Sequence, residues 1–409
     1  MGRDLEVFRS VVIQRRKFLA AAGALGLSAP ALRANAVERA GPFERALVLS
    51  GGGARGAYEA GAITGLAKQF GVRDFQPMPQ YQLVCGSSIG ALNGWFLATG
   101  QYSRLKDLWY GISAEKLIRL KAQFEALIDV QSGVLERATA AARLTELVRN
   151  QTGVLQNEPV LAWVARNVDP QAELLVPLIW AVTNLTTQRP EYFYMAATSG
   201  SEKSRQDLVD ALRLTLGPNT VVREATADLV HRALFGSAAI PLAFDPVEIP
   251  GANGTDNDFV DGGVASNSPV AIAHAVARAA DVILMDPPFQ PEPAYEDAIA
   301  VAFGAFGTMQ RKIIEVEMRN VYFQSIGARA FAELSSEGRL RATGGREEVA
   351  RLMETVPATD LRFMRPEKTL PVGVGEFGNQ EGVGAAFRSG WIDATMKGFK
   401  SYDWESFEL

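Results

Sequence analysis

The chain has 409 residues, 47% hydrophobic and 21% charged, an ordinary globular balance with room for one large core or two moderate ones. A net charge of -5 argues against a nucleic-acid-binding surface. One cysteine, Cys85, excludes an intrachain disulfide and a cysteine-based zinc site, and two histidines, His231 and His274, leave little for a histidine metal centre.

Residues Met1–Ala36 read as a targeting segment. Arg15–Arg16–Lys17–Phe18–Leu19 precedes an apolar run, Ala20 to Leu27, and then Ala34–Asn35–Ala36. A positive flank, a short apolar stretch and A-x-A fit an export signal, and the paired arginines resemble a twin-arginine signal. The expectation is a bacterial protein exported to the periplasm or beyond, its mature chain starting near Val37; the alternative is an anchor at the inner membrane.

Arg45–Ala46–Leu47–Val48–Leu49–Ser50 is a continuous apolar run, as in a strand buried on both faces. Gly51–Gly52–Gly53–Ala54–Arg55–Gly56 follows, and then a helical pattern with Ile63, Leu66 and Phe70 on one face. Strand, glycine loop and helix make an anion cradle, because successive backbone N–H groups converge on one oxygen. Gly51, Gly53 and Gly56 scan as the dinucleotide fingerprint G-x-G-x-x-G, but the acid that fingerprint wants, Asp74, has no clean strand before it. There is no Gly–Lys–Ser/Thr ending for a P-loop. The remaining reading is an oxyanion hole for acyl transfer. Arg55 reads either as a brace for this loop or as a contact for an anionic headgroup.

Leu83–Val84–Cys85 is a second buried strand, running into Gly86–Ser87–Ser88–Ile89–Gly90 and then a helix with Ala91, Leu92, Trp95, Phe96 and Leu97, stopped at Gly100. Strand, tight turn and helix are the context that G-x-S-x-G requires, with Ser88 on a strained turn and Gly86 and Gly90 where strand and helix crowd. This places a nucleophile beside the glycine loop.

Gln101–Asn150 has a helical pattern, with an apolar stripe at Leu117, Leu120, Phe124 and Leu127. Leu178–Val182 and Glu191–Tyr194 read as a strand pair around the turn Thr186–Pro190. Asp256–Asn257–Asp258 is an acidic cluster that reads as a solvated turn. Phe259–Val260 then leads into Asp261–Gly262–Gly263, an aspartate at a strand end ahead of a helix start at Ser266–Asn267–Ser268–Pro269. Asp261 is the candidate base for Ser88, since a carboxylate in hydrogen-bond reach serves once burial raises its proton affinity. His274, in an alanine-rich helical run, reads as a packed residue, and His231 is weaker still. Val282–Met285 is expected to close the sheet, Ile313, Val316 and Val321 to lie on a long helix, and Leu361–Arg365 to add an edge strand.

GGGARG at Gly51–Gly56, GSSIG at Gly86–Gly90 and DGG at Asp261–Gly263, in that order, resemble the patatin-like phospholipase family. Ser237–Ala238–Ala239–Ile240–Pro241 with Phe244 and Pro246, the helix start at Asn267 and Pro269, and Gly390–Ala394 add to the likeness. The resemblance implies a three-layer α/β/α fold with a mainly parallel central sheet, related to the cytosolic phospholipase A2 core. It also implies a serine–aspartate dyad without histidine, with Ser88 as nucleophile, Asp261 as base and the loop Gly51, Gly52, Gly53, Arg55 and Gly56 as oxyanion hole. The expected domain runs over residues 43–290 with a helical insertion at about 101–173, followed by a C-terminal helical extension over 291–409. The expected activity is hydrolysis of lipid or phospholipid esters at a membrane surface, with no metal, no cofactor and no nucleic acid. Acyl transfer on the same dyad and a non-catalytic lipid- or anion-binding module are the alternatives.

Overall fold

The computed structural model describes residues 42–113, 117–122, 153–217, 219–251, 254–288, 298–336, 357–404 and 407. The export signal read at Met1–Ala36 therefore lies outside the described residues, as do Phe124 and Leu127.

Ten strands form one sheet: β1 (Phe43–Leu49), β2 (Leu83–Ser87), β3 (Leu178–Asn184), β4 (Arg189–Met195), β5 (Val222–Glu224), β6 (Val247–Pro250), β7 (Asp256–Val260), β8 (Ala277–Ile283), β9 (Asp360–Met364) and β10 (Lys400–Ser401). The order is β10-β9-β8-β1-β2-β3-β4-β5, with β7 paired to β3 and β6 to β7. The centre, β9-β8-β1-β2-β3, is parallel throughout, and β3/β4, β3/β7, β6/β7 and β9/β10 are antiparallel.

The helices that cover this sheet are α1 (Gly56–Gln69), α2 (Ile89–Ala98), α3 (Tyr102–Gly111), α4 (Glu158–Asn167), α5 (Glu202–Leu216), α6 (Val230–Ser237), α7 (Val270–Val276), α8 (Ala298–Ser336) and α9 (Gln380–Ile392). Residues 323–358 belong with residues 1–39 to a second unit, of which the described part is the end of α8 and two residues before β9; the rest of α8 belongs to the sheet unit.

The strands alternate their side chains between two apolar layers, as the pleat requires. Leu47, Leu49, Val84, Leu178 and Trp180 join one core with α1, α2, α3, α6 and α9. Ala46, Val48, Leu83, Cys85 and Ile179 join the other with α5, α7 and α8. Both faces are dry, which is why these strands read as unbroken apolar runs. Fully buried Asp281 on β8 is neutralised by Arg45 of β1 (2.9 Å) and by Arg362 of β9 (2.7 and 2.6 Å), and it accepts from Tyr81 Oη at 2.9 Å. A buried carboxylate has to be paired, and these bonds pin three adjacent parallel strands together.

Four expectations differ from the fold. Val282–Met285 does not close the sheet: β9 runs parallel beside β8, and two-residue β10 lies outside it. Leu361–Arg365 is thus one strand in from the edge, a pairing that no local pattern encodes. Asp256–Asn257–Asp258 is not a turn but the start of β7, with Asp256 and Asp258 exposed and Asn257 turned inward. Its two aspartates sit on the exposed face of a hairpin whose other face, with Asn257 and Phe259, is covered. Leu120 is not helical either. It bridges Leu155 in extended backbone, while Leu117 is buried in the core.

Candidate active site

The site is built at one end of β1 and β2. Ser88 follows β2 directly and precedes α2, with φ 53° and ψ -129°. A non-glycine residue at positive φ costs of order 1–3 kcal/mol and persists only where its surroundings enforce it. Here the Ser88 N–H donates to Ser237 Oγ at 2.9 Å, and that hydroxyl donates to Ala181 O at 2.6 Å. The chain also has no room to relax. A methyl group on Gly90 would lie 2.4 Å from Leu49 O, and one on Gly86 2.7 Å from Ala91 Cα. Ser88 sits at the N-terminal end of α2, where the helix dipole favours negative charge.

Asp261 arrives from the far side. β7 runs antiparallel to the end of β3, with Val260 opposite Thr183, just beyond the place where Ser87 of β2 lies opposite Ala181, and so delivers Asp261 next to β2. The aspartate therefore does not end a parallel strand. Its N–H donates to Ala239 O at 2.9 Å, and its carbonyl accepts from Thr183 Oγ1 at 2.9 Å. Its carboxylate takes the Gly263 N–H on Oδ1 at 2.7 Å and Ser88 Oγ on Oδ2 at 2.6 Å. Ser88 is 3% exposed and Asp261 fully buried. Burial pushes the Asp261 carboxyl up to about 7, although the bonds from Ser88 and Gly263 favour its charged form. Desolvation wins because two donors do not replace a full hydration shell.

The glycine loop lies against Ser88 and against Asn267, in the turn that follows Asp261. Gly51 donates its N–H to Asn267 O at 2.9 Å, and a methyl group on Gly51 would meet Asn267 Oδ1 at 2.2 Å and Ser88 Cβ at 3.0 Å. Gly53 has φ 57°, and a methyl there would lie 2.2 Å from Val374 O. Among the described residues no acceptor takes the N–H of Gly52 or Gly53, whereas Ala54 donates to Val374 O at 2.8 Å and Arg55 to Gly52 O at 3.2 Å. Two amide donors thus stand open in a loop whose first glycine, Gly51, abuts Ser88.

Arg55 turns from the loop to Asp286, just past β8, in an ion pair that Arg311 Nε also joins at 2.9 Å. It is a largely buried brace, not a surface cation. Gly56 O accepts Asn93 Nδ2 at 3.0 Å, and Asn93 in turn bonds Glu59 at 2.8 Å and Trp109 Nε1 at 2.9 Å, cross-linking α1, α2 and α3 beneath the loop.

The remaining candidates stand apart. His274 is buried on α7 with Nδ1 at 3.0 Å from Thr359 Oγ1, and His231 Nε2 meets Val168 O at 2.8 Å. Asp74 caps the start of α3 through Ser103 N at 2.9 Å. No group of three or more His, Cys, Asp and Glu among the described residues is arranged to hold a metal ion. A cavity of about 1040 Å³ lies at the other end of α1, lined by Lys68, Arg73, Lys106, Arg388 and Trp391 and by none of the loop, Ser88 or Asp261. The sequence reading did not anticipate the contacts made by Ser237, Thr183 and Asn267. Ser237 and Asn267 at least fall in stretches that carried the family resemblance; Thr183 left no local signal.

A family model described as patatin-like phospholipase matches residues 47–274, more than half of the chain. The chain belongs to that family, and with it to the lipid hydrolases. Among solved structures it is similar to VipD from Legionella pneumophila, at 16% identity over 88% of this chain and 68% of that one, with a TM-score of 0.36. The ExoU–SpcU complex of Pseudomonas aeruginosa is a second, at 18% identity over 42% of this chain and 36% of that one, with a TM-score of 0.16. Neither likeness is close enough to carry an argument. No match was found among curated proteins.

Proposed function

We propose that the protein is a serine carboxylic ester hydrolase of the phospholipase A or lysophospholipase type, working through Ser88 and Asp261 without histidine. The observation that carries this reading is the 2.6 Å contact between Ser88 Oγ and Asp261 Oδ2 in a dry site. Asp261 takes the hydroxyl proton as Ser88 Oγ attacks the acyl carbonyl carbon. A carboxyl titrating near 7 is far better matched to this task than one near 4. The carbonyl oxygen becomes an oxyanion beside the open N–H groups of Gly52 and Gly53. The tetrahedral intermediate collapses, the leaving alcohol or lysolipid takes the proton from Asp261, and an acyl-Ser88 ester remains. Water, deprotonated by the same carboxylate, then attacks that ester, the fatty acid leaves and the proton returns to Ser88 Oγ.

Arg55 serves this scheme indirectly, by holding the loop through Asp286. We further infer that the substrate is met at a lipid surface and that the Met1–Ala36 segment exports the enzyme; N-terminal sequencing of the periplasmic or secreted protein is expected to begin near Val37.

The test of the chemistry is a fluorophosphonate probe. It labels Ser88 in the folded protein, and labelling is lost in Ser88→Ala. Incubation with a mixed lipid extract then identifies by mass which esters disappear and whether free acid or a new ester accumulates. Folded protein that leaves the probe unreacted and the extract unchanged rules the reading out.

A further inference from the structure

The residues that hold the reacting groups in place extend beyond the stretch matched by the family. Helix α8 carries Glu317, whose carboxyl end is enclosed although the residue as a whole is half-buried. Oε1 accepts from Ser266 Oγ at 2.6 Å and Oε2 accepts the Ser268 N–H at 2.9 Å. One side chain thus grips Ser266 and Ser268, on either side of Asn267, in the irregular turn between Asp261–Gly263 and α7.

That turn touches both halves of the site. Asn267 accepts the Gly51 N–H on its carbonyl at 2.9 Å and donates Nδ2 to Gly51 O at 3.4 Å. Gly51 in turn abuts Ser88. At its other end, Ser266 N donates to Gly262 O at 2.8 Å, one residue past Asp261. Moving the turn therefore moves the open amides relative to Ser88 Oγ. Acyl transfer is sensitive to such shifts, because displacement by about 1 Å costs on the order of a hundredfold in rate.

We propose that Glu317 is a positioning residue for the oxyanion loop, fixing the Ser266–Ser268 turn and, through Asn267, the distance from the Gly52 and Gly53 amides to the Ser88 hydroxyl. The inference rests on the reading of Ser88 as nucleophile. Burial pushes the Glu317 carboxyl up to about 8, and the Tyr192 phenol of β4 is a titratable group near it. In its neutral form the carboxyl donates to Ser266 Oγ and keeps its second oxygen for the Ser268 N–H. A primary amide makes the same set of bonds, so glutamine is the conservative replacement and alanine the disruptive one.

The test uses the full chain, hydrolysis of a soluble aryl ester, and the rate constant of fluorophosphonate labelling, each corrected for folded fraction from thermal unfolding. Glu317→Ala is expected to lower kcat and labelling together by about 10- to 100-fold with KM changed less than about twofold. Glu317→Gln is expected to return both to within about threefold of the parent, and Ser266→Ala to fall between them. The inference is overturned if Glu317→Gln is as impaired as Glu317→Ala, if the loss lies in KM, or if it vanishes after correction for folded fraction. Ser88→Ala that keeps activity or labelling removes the nucleophile reading itself, and is thereby distinguishable from a failure confined to the Glu317 variants.

Discussion

The elbow at Gly86–Gly90 and the turn at Asp261–Ser268 face each other, yet they are held by different means. The elbow stands between two regular elements, β2 and α2, and close contacts to the backbone of Leu49 and Ala91 leave it one conformation. The aspartate turn has a single 3-10 turn, Gly262–Val264, and otherwise depends on distant elements: Thr183 of β3, Ala239 after α6 and Glu317 of α8. The first stores backbone strain at Ser88; the second stores electrostatic cost in a buried carboxyl. A strained nucleophile needs rigid local walls, whereas a base with raised proton affinity needs a dry environment assembled from far-off chain.

The largest expected effect tests whether both regions serve one reaction. Ser88→Ala and Asp261→Ala should each lower esterase turnover roughly ten-thousand-fold or more, and the double variant little further, since groups acting as a unit are non-additive. Additive losses in a steady-state assay would separate the two regions. Next comes the loop both regions lean on. Gly53→Ala puts a methyl at positive φ against Val374 O, and is expected to cost about 1–3 kcal/mol in denaturant unfolding and roughly 100-fold in kcat.

The third effect sharpens the contrast in how cost is stored. Asp261 must be ionised to accept a proton, so kcat/KM should rise with pH through about 7 and level off above it. Stability runs the other way. The folded state holds the proton more tightly than the unfolded chain, where the group titrates near 4, so the Asp261 contribution falls as pH rises from about 4 to 7. Asp261→Asn should therefore match the parent near pH 4 and exceed it by about 2–4 kcal/mol above pH 7, while remaining inactive. A gap between the two unfolding curves that does not widen with pH would contradict that account. The smallest effect is outside both regions: His274→Ala should lose stability through its buried contact to Thr359, but keep most of its turnover per folded molecule.

The strand–turn–helix units at both glycine motifs could be read from local pattern, because a strand dry on both faces is an apolar run and its tight turns need glycine. The hairpin around Thr186–Pro190 was equally visible, since its polar turn separates two apolar runs. The strand at Asp256–Val260 was misread because its polar side chains alternate too briefly to be told from a turn. Leu361–Arg365 could be recognised as a strand, but its place was not, since the partners of a parallel strand lie far away in sequence. The family resemblance supplied the pairing of Ser88 with Asp261; no local feature of either segment specifies the other.

Local composition thus determined which apolar runs become strands, where the glycine turns fall, and which side chains have the chemistry of a nucleophile and a base. The tertiary structure alone decided that β7 folds back along β3 to bring Asp261 to Ser88, that its carboxyl is dry enough to titrate near 7, and that α8 reaches over to grip the turn between them. The physical reason is range. Backbone preference and hydrophobic periodicity act over a few residues, but desolvation and hydrogen-bond partnership depend on what the rest of the chain places nearby.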